Sequence, residues 1–182
     1  VTFAAGLAAG GYHPFVAIYS TFLQRSYDQI IHDICLEKLP VTLAVDRAGI
    51  VGQDGETHQG VFDLSFLSSV PELAVMAPKD GTEFKQMLKF CADYQGPSAV
   101  RYPRGVAPMG EETAPVEFGK AEILKKGKDV LLLAVGTMVE SSKEVAELLS
   151  PSFSSTIVNV RFVKPMDEAL ILSEAKKHKM VV

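Results

Sequence analysis

Apolar residues fall into two alternating rhythms along this chain of 182 residues. Short, nearly unbroken runs at Phe15–Tyr19 (FVAIY), Val41–Val45 (VTLAV), Leu73–Ala77 (LAVMA) and Ser98–Arg101 (SAVR) suit strands covered on both faces, as in a parallel sheet. Between them, helical spacing takes over. From Thr21 to Glu37 the residues Leu23, Tyr27, Ile30, Ile31 and Ile34 share one face, and Thr21 with Gln24 has the form of a capping box. Asp80 with Glu83 repeats that form ahead of Phe84–Phe90. The succession predicts an α/β fold: a doubly wound, mostly parallel sheet with right-handed crossovers.

Around Val106–Phe118 the rhythm stops and Pro, Gly and Glu dominate, which reads as a linker. Beyond it, Ala121–Leu124, Val130–Val135 and Thr156–Val160 read as strands. Thr137 with Glu140 reads as the cap of a helix reaching Leu149, and Asp167 to His178 as a further helix. The expected organisation is an α/β domain over 1–105, a linker over 106–119 and the start of a second α/β domain over 120–182. Both ends read as cut: VTFAAGLAAGG opens as an uncapped apolar helix, and Met180-Val181-Val182 stops as a strand begins. A segment of a longer polypeptide is expected.

Composition removes several function classes. A net charge of −4, with only a short Lys125, Lys126, Lys128 group that reads as solvated surface, offers nothing for nucleic acid. Phosphorylated small molecules stay compatible, because they need only a few local arginines. The hydrophobic runs are interrupted well short of the ~20 residues that span a bilayer, so a soluble, cytoplasmic protein is expected. Cys35 and Cys91 lie in apolar helical patterns without zinc-type spacing, which predicts buried free thiols in a reducing compartment. His13, His32, His58 and His178 show no metal-ligand spacing, and His32 reads as helix surface.

The polar chemistry gathers where strands end, which is where open parallel sheets bind ligands. Tyr19 closes the first strand, with Phe22 and Arg25 on the next helix. Asp46 and Arg47 close the second and lead into DRAGIVGQDGETHQG (46–60), a long stretch without periodicity. Its four glycines leave the backbone free to approach a ligand, and Asp54, Glu56, Thr57, His58 and Gln59 fill the gaps. RYPRG (101–105) follows the fourth strand. Each residue also has a plainer reading: Phe22 as core, Arg25 and Arg47 as partners of Asp28 and Asp46, Arg104 as a turn residue between Pro103 and Gly105. Convergence on one sheet edge favours a site. Templates for a P-loop, an EF-hand and a dinucleotide fingerprint all fail.

The combination of VTFAAGLAAGGYHPFVAIYSTFLQRSYDQIIHD, DRAGIVGQDGETHQG, GPSAVRYPRG and VRFVKPMDEAL resembles the 1-deoxy-D-xylulose-5-phosphate synthase family, transketolase-like thiamine-diphosphate enzymes, over essentially the whole chain. DG-x-THQ and YPRG also occur in transketolase-like relatives, whereas STFLQR followed by DRAGIVG points to the synthases. The resemblance implies a pyrimidine-binding domain, a linker and the start of the transketolase C-terminal domain. It implies condensation of pyruvate with D-glyceraldehyde 3-phosphate with loss of carbon dioxide, for isoprenoid precursor, thiamine and pyridoxal biosynthesis. Thiamine diphosphate and Mg2+ are the implied cofactors, with the magnesium ligands in an amino-terminal domain outside this chain, and a homodimer is the implied assembly.

Carried onto these positions, the resemblance implies that Phe22 stacks on the aminopyrimidine and that Tyr19 and Asp54 meet polar groups of the acceptor aldehyde. Arg47 and Arg104 would hold its phosphate, Arg25 would shape the acceptor site, and His58 would face the substrate carboxylate or carbonyl. The glutamate that activates the cofactor in such enzymes belongs upstream of Val1, so this chain alone is expected to hold half a site and to make no product. Two other readings stay open: another transketolase-like thiamine enzyme, such as a 2-oxo acid dehydrogenase component, and a non-catalytic α/β assembly module.

Overall fold

The computed structural model describes residues 1–110 and 114–182; residues 111–113 of the expected linker lie outside the described residues. Helix α1 (Thr2–Ala9) leads into β1 (Phe15–Tyr19), the composite helix α2 (20–35), β2 (Thr42–Asp46), α3 (Asp63–Ser69), β3 (Ala74–Met76), α4 (Gly81–Asp93) and β4 (Ser98–Arg101). After the connecting segment come β5 (Glu122–Lys125), β6 (Val130–Ala134), α5 (Met138–Leu149), β7 (Ser155–Asn159), β8 (Phe162–Lys164), α6 (Glu168–Ala175) and β9 (Met180–Val181). The first sheet has the order β1-β2-β4-β3-β8, with its first four strands parallel and β8 antiparallel to β3. The second has the order β5-β7-β6-β9, with β5 antiparallel to β7.

Alternation explains how both faces of the first sheet are covered. Leu43, Val45, Val75 and Ala99 pack with Leu23, Ile30, Ile34 and Leu67 of α2 and α3. Met76 and Val100, their neighbours in sequence, belong to a second cluster with Met87, Cys91 and Phe162. Successive side chains of a strand point to opposite faces, so β-branched runs covered on both sides are the expected sequence for such a sheet. Both cysteines are buried as free thiols, and burial pushes the Cys35 thiol up to about 12.

The helix caps correct the sequence reading in two places. Thr21 makes no capping bond; its hydroxyl donates instead to the carbonyl of Thr57 at 3.1 Å, tying α2 to the glycine-rich stretch. Thr137 makes no side-chain cap either, and Glu140 pairs with Lys143. Asp80 does cap α4, accepting from the Glu83 amide at 2.8 Å, and Asp167 accepts from the Leu170 amide at 3.2 Å. Helix α2 is irregular: α-helical at Ser20–Leu23, 3₁₀ at Gln24–Ser26, α-helical again at Tyr27–Gln29 and π at Ile30–Cys35.

Strand β8 is not signalled by the pattern, and it joins the two halves. From the end of β7 the chain turns through Arg161 at φ 58° and enters the first sheet against β3. Arg161 and Glu83 are both buried, and Arg161 Nε donates to Glu83 at 2.7 Å. Glu83 also accepts from Asn159 at 2.8 Å, from Lys79 Nζ at 3.3 Å and from the Lys79 amide at 2.8 Å, while Arg161 Nη2 donates to Glu122 at 2.9 Å. On β8, Lys164 donates to the carbonyls of Ser68 and Val70, closing the carboxyl end of α3. Among the described residues no helix is long and apolar enough to cross a membrane.

Removing one member of the buried pair takes a charge-assisted hydrogen bond from the other and leaves Arg161 paired with Glu122 or Glu83 paired with Lys79, so Glu83→Ala or Arg161→Ala should each lower unfolding free energy by about 1.5–3 kcal/mol. Glu83→Met/Arg161→Met should recover only part of that loss, because Asn159 and Lys79 lose Glu83 and Glu122 loses Arg161. Urea denaturation of the three variants checks this, and single variants as stable as the parent would refute it.

A second expectation concerns acid. The Ser154 amide, Lys179 and the Ser154 hydroxyl hold the Asp129 carboxyl down at about 2, below its ordinary 3.8. A carboxyl depressed in the folded state contributes stability above its ordinary value and loses it as pH falls through the folded one. Between pH 3.8 and about 2, therefore, the parent should lose stability more steeply than Asp129→Asn, as read from unfolding midpoints across that window.

Candidate active site

Parallel register sets the height of the site. Tyr19 pairs with Asp46 across β1 and β2, and Val45 pairs with Arg101 across β2 and β4, so three strand ends and the segments that leave them share one edge. There the Tyr19 and Phe22 rings stack at 5.8 Å, and His58 sets its edge against both, at 5.2 Å from Phe22 and 6.1 Å from Tyr19. The Arg47 guanidinium lies over Tyr19 at 4.2 Å, and that of Arg25 lies 5.7 Å from Phe22. Phe22 keeps 36% of its surface exposed, so this is an open aromatic shelf and not the core position of the plainer reading.

The stretch 46–60 carries more structure than its lack of periodicity suggested. Gly49 and Gly60 exchange backbone hydrogen bonds at 2.7 and 2.8 Å, closing a loop that contains the 3₁₀ turns Gly52–Asp54 and Glu56–His58. Gln59 staples it from within, accepting from the Val51 amide at 2.9 Å and donating to the Gly55 carbonyl at 2.8 Å. Two of the four glycines have a role within the loop itself. Gly55, at φ 82°, joins the two turns in a conformation that L side chains rarely adopt. At Gly60 a Cβ would stand 2.2 Å from the Arg47 carbonyl and 2.7 Å from Ser20 Cβ.

A cationic clamp stands beside the shelf. Asp54 accepts from Arg47 Nε at 3.2 Å with one oxygen and faces Arg104 Nε at 3.4 Å with the other. Arg104 also reaches Gln53 at 3.4 Å, and Arg47 pairs with Asp46 through both its amide and its guanidinium. Desolvation pulls the Arg47 guanidinium down, but Asp46 and Asp54 outweigh it and raise it further above its ordinary value. Arg47 adopts φ 56°, a left-handed conformation that costs a non-glycine residue about 1 kcal/mol or more. The clamp borders a cleft of about 640 Å³ lined also by Lys79, Asp80, Phe84 and Tyr102.

The structure thus brings Tyr19, Phe22, Arg25, Arg47, Asp54, His58 and Arg104 to one edge. Of the plainer pairings, Arg47 with Asp46 forms, whereas Asp28 pairs with His32 at 2.9 Å on the exposed face of α2. Three participants went unseen: Gln59 as the staple, Thr21 as the tie to α2, and Asp63 as the buried partner of Arg101. Nothing local in the sequence marks these roles, since each partner is chosen by the fold. Among the described residues, no group of three or more His, Cys, Asp or Glu gathers as a metal site.

Gly60→Ala should force the loop base apart. Overpacking of this kind typically costs about 1–3 kcal/mol, and the visible outcome should be faster proteolytic cleavage within 46–60 together with a lower melting temperature. Cleavage at the parent rate would show that the loop base has room the structure denies it.

Comparison with known proteins converges on one family. Residues 1–109 match the family described as "Transketolase, pyrimidine binding domain" and residues 119–182 match "Transketolase, C-terminal domain". The 1-deoxy-D-xylulose-5-phosphate synthase of Desulforudis audaxviator is 54% identical over 181 residues, covering 97% of this chain and 28% of that protein. The Shigella flexneri protein of the same name is 54% identical over 186 residues, covering 100% of this chain and 29% of that protein. The chain therefore spans less than a third of these curated relatives. A split gene transketolase, described as an inactive beta4 tetramer, superposes with a TM-score of 0.90 at 30% identity, covering 98% of this chain and 59% of its own. Transketolase from Campylobacter jejuni shares the fold, with a TM-score of 0.78 at 22% identity and coverage of 98% and 32%. With its first 109 residues matched to that pyrimidine-binding domain and the following segment to the C-terminal domain, the chain belongs to the transketolase family.

Proposed function

We propose that this chain supplies the pyrimidine-facing half of a synthase that condenses pyruvate with D-glyceraldehyde 3-phosphate to give 1-deoxy-D-xylulose 5-phosphate and carbon dioxide. The observation that carries the reading is the convergence of Arg47 and Arg104 on one carboxylate, beside an open shelf of Tyr19, Phe22 and His58. Identity of 54% to synthases of that name supports it.

The residues fit a thiamine cofactor where this chain would touch one. Phe22 offers a flat, part-exposed ring on which an aminopyrimidine would stack, and Tyr19 and His58 hold that ring in place. When bound, thiamine diphosphate supplies the electron sink that decarboxylation of pyruvate requires. Its diphosphate and the accompanying magnesium belong to residues outside this chain, and a homodimer would complete the site.

The acceptor is held by this chain's own groups. A forked guanidinium suits a phosphate dianion, and two of them already face a common anion in Asp54. Tyr19 and Asp54 would then address the acceptor's polar groups, and Arg25 the rim of its site. Thr57 holds His58 Nδ1 at 2.9 Å, which leaves Nε2 to bond a substrate carboxylate or carbonyl oxygen.

Arg104→Ala in the full-length enzyme carrying this segment tests the assignment. Loss of a charge-assisted hydrogen bond is worth about 1.5–3 kcal/mol, so efficiency toward the phosphorylated acceptor should fall roughly ten- to a hundredfold, through its Michaelis constant and with that for pyruvate nearly unchanged. Arg104→Lys should recover only part, because it keeps the charge and loses the fork. A turn role predicts instead a lower melting temperature and equal damage toward both substrates. An acceptor constant at the parent value removes Arg104 from the site.

A further inference from the structure

Arg104 is poorly held by its own side chain. It is 42% exposed, and its polar contacts, to Asp54 and Gln53, are both 3.4 Å long. Exposed pairs of that kind contribute little, so what fixes the guanidinium must act through the backbone of the segment that follows β4. That backbone is anchored elsewhere. Arg101, the last residue of β4, donates to Asp63 through Nε at 2.9 Å and Nη2 at 3.3 Å. Asp63 is 1% exposed, begins α3 and follows closely on Gly60, where the glycine loop closes.

We infer that the pair of buried Asp63 with half-buried Arg101 is a positioning device for the acceptor clamp, locking the loop that carries Asp54 to the strand end that leads to Arg104. The inference rests on the phosphate-binding role given to that clamp above. The other foot of the loop attaches to the same strand end, since the Ala48 amide donates to the Tyr102 carbonyl at 3.0 Å and the Tyr102 amide donates to Val45 at 3.0 Å. Both feet therefore register against 101–102, one by backbone bonds and one by a forked ion pair. Asp63 is itself fixed: its Oδ1 accepts from the Leu64 amide at 2.9 Å, and Lys164 holds the far end of α3. The side-chain hydrogen bonds of Asp63 and Arg101 run to each other and to the Leu64 amide, not to the aromatic shelf or the clamp side chains, so the pair acts through Arg104 and Asp54.

The test is a double-mutant cycle in the full-length enzyme carrying this segment, with Asp63→Asn, Arg104→Ala and both together. Michaelis constants for pyruvate and for the phosphorylated acceptor are measured for each, with the melting temperature alongside. Asp63→Asn should raise the acceptor constant about tenfold and the pyruvate constant less than about twofold. In the double variant it should add little to Arg104→Ala, because both changes disable one clamp. Arg101→Lys, which keeps the buried charge and loses the fork, should raise the acceptor constant about threefold; it stands in if the Asn variant fails to fold. Multiplying effects in the double variant, or equal rises in both constants, would overturn the positioning role and leave a purely structural pair. If Arg104→Ala itself leaves the acceptor constant unchanged, the phosphate-clamp reading falls and this inference with it.

Discussion

Glu83 has no exposure to solvent, yet its carboxylate receives four hydrogen bonds, from the Lys79 amide and ammonium, from Asn159 and from Arg161. A buried carboxylate is tolerated only when its partners arrive together, because desolvation costs several kcal/mol per ion and is offset only by good geometry. Those partners come from three places: the entry to α4, the end of β7 and the turn into β8. The arrangement is consequently close to all-or-none. It obliges β8 to join the first sheet, and β8 carries Lys164 to the carboxyl end of α3. From α3 the chain of support runs through Asp63 to Arg101 and so to the segment that presents Arg104. A polar seam between the two sheets is thus linked through the backbone to the segment that presents Arg104.

The site itself is built on a different principle. Its aromatic members, Tyr19, Phe22 and His58, make ring contacts at 5.2 to 6.1 Å and leave a face open. The two arginines of its clamp, Arg47 and Arg104, are balanced by Asp46 and Asp54. The conformation at Arg47 shows what this requires. A left-handed residue there would relax if it could, and it is held by Asp46, by the stack on Tyr19 and by the closing of the loop at Gly60 over its own carbonyl.

Much of this was legible from spacing. The strands of the first sheet announce themselves because both faces are buried, which demands continuous β-branched runs, and the strand-end rule then selects Tyr19, Arg47 and Arg104 with no further information. Legibility fails where partners are chosen over distance. Thr21–Gln24 and Asp80–Glu83 share one form, yet only Asp80 caps its helix, because the Thr21 hydroxyl finds the Thr57 carbonyl instead. Glu83 read as half of a local box, and the fold turned it toward Arg161 and Asn159. Strand β8 was invisible since Phe162–Lys164 is too short to display a period. The glycine loop read as irregular because its order comes from turns and a side-chain staple, neither of which has a hydrophobic signature.

The two kinds of construction follow from what each must do. A group that binds a ligand must give up its present partners when the ligand arrives, so the long, exposed contacts of Arg104 suit the role proposed for it, whereas Arg47 is held closely by Asp46 and Asp54. The weakness has a consequence: weakly held side chains cannot define their own geometry, and a displacement of about 1 Å can cost a hundredfold in rate. Precision must then come from the backbone, and the backbone from more deeply held pairs, which is the part proposed for Asp63–Arg101. On the proposed reading the residues that bear on the clamp divide into a small set readable at the strand ends and a set that becomes visible only once the fold shows which distant carboxylate each arginine has found.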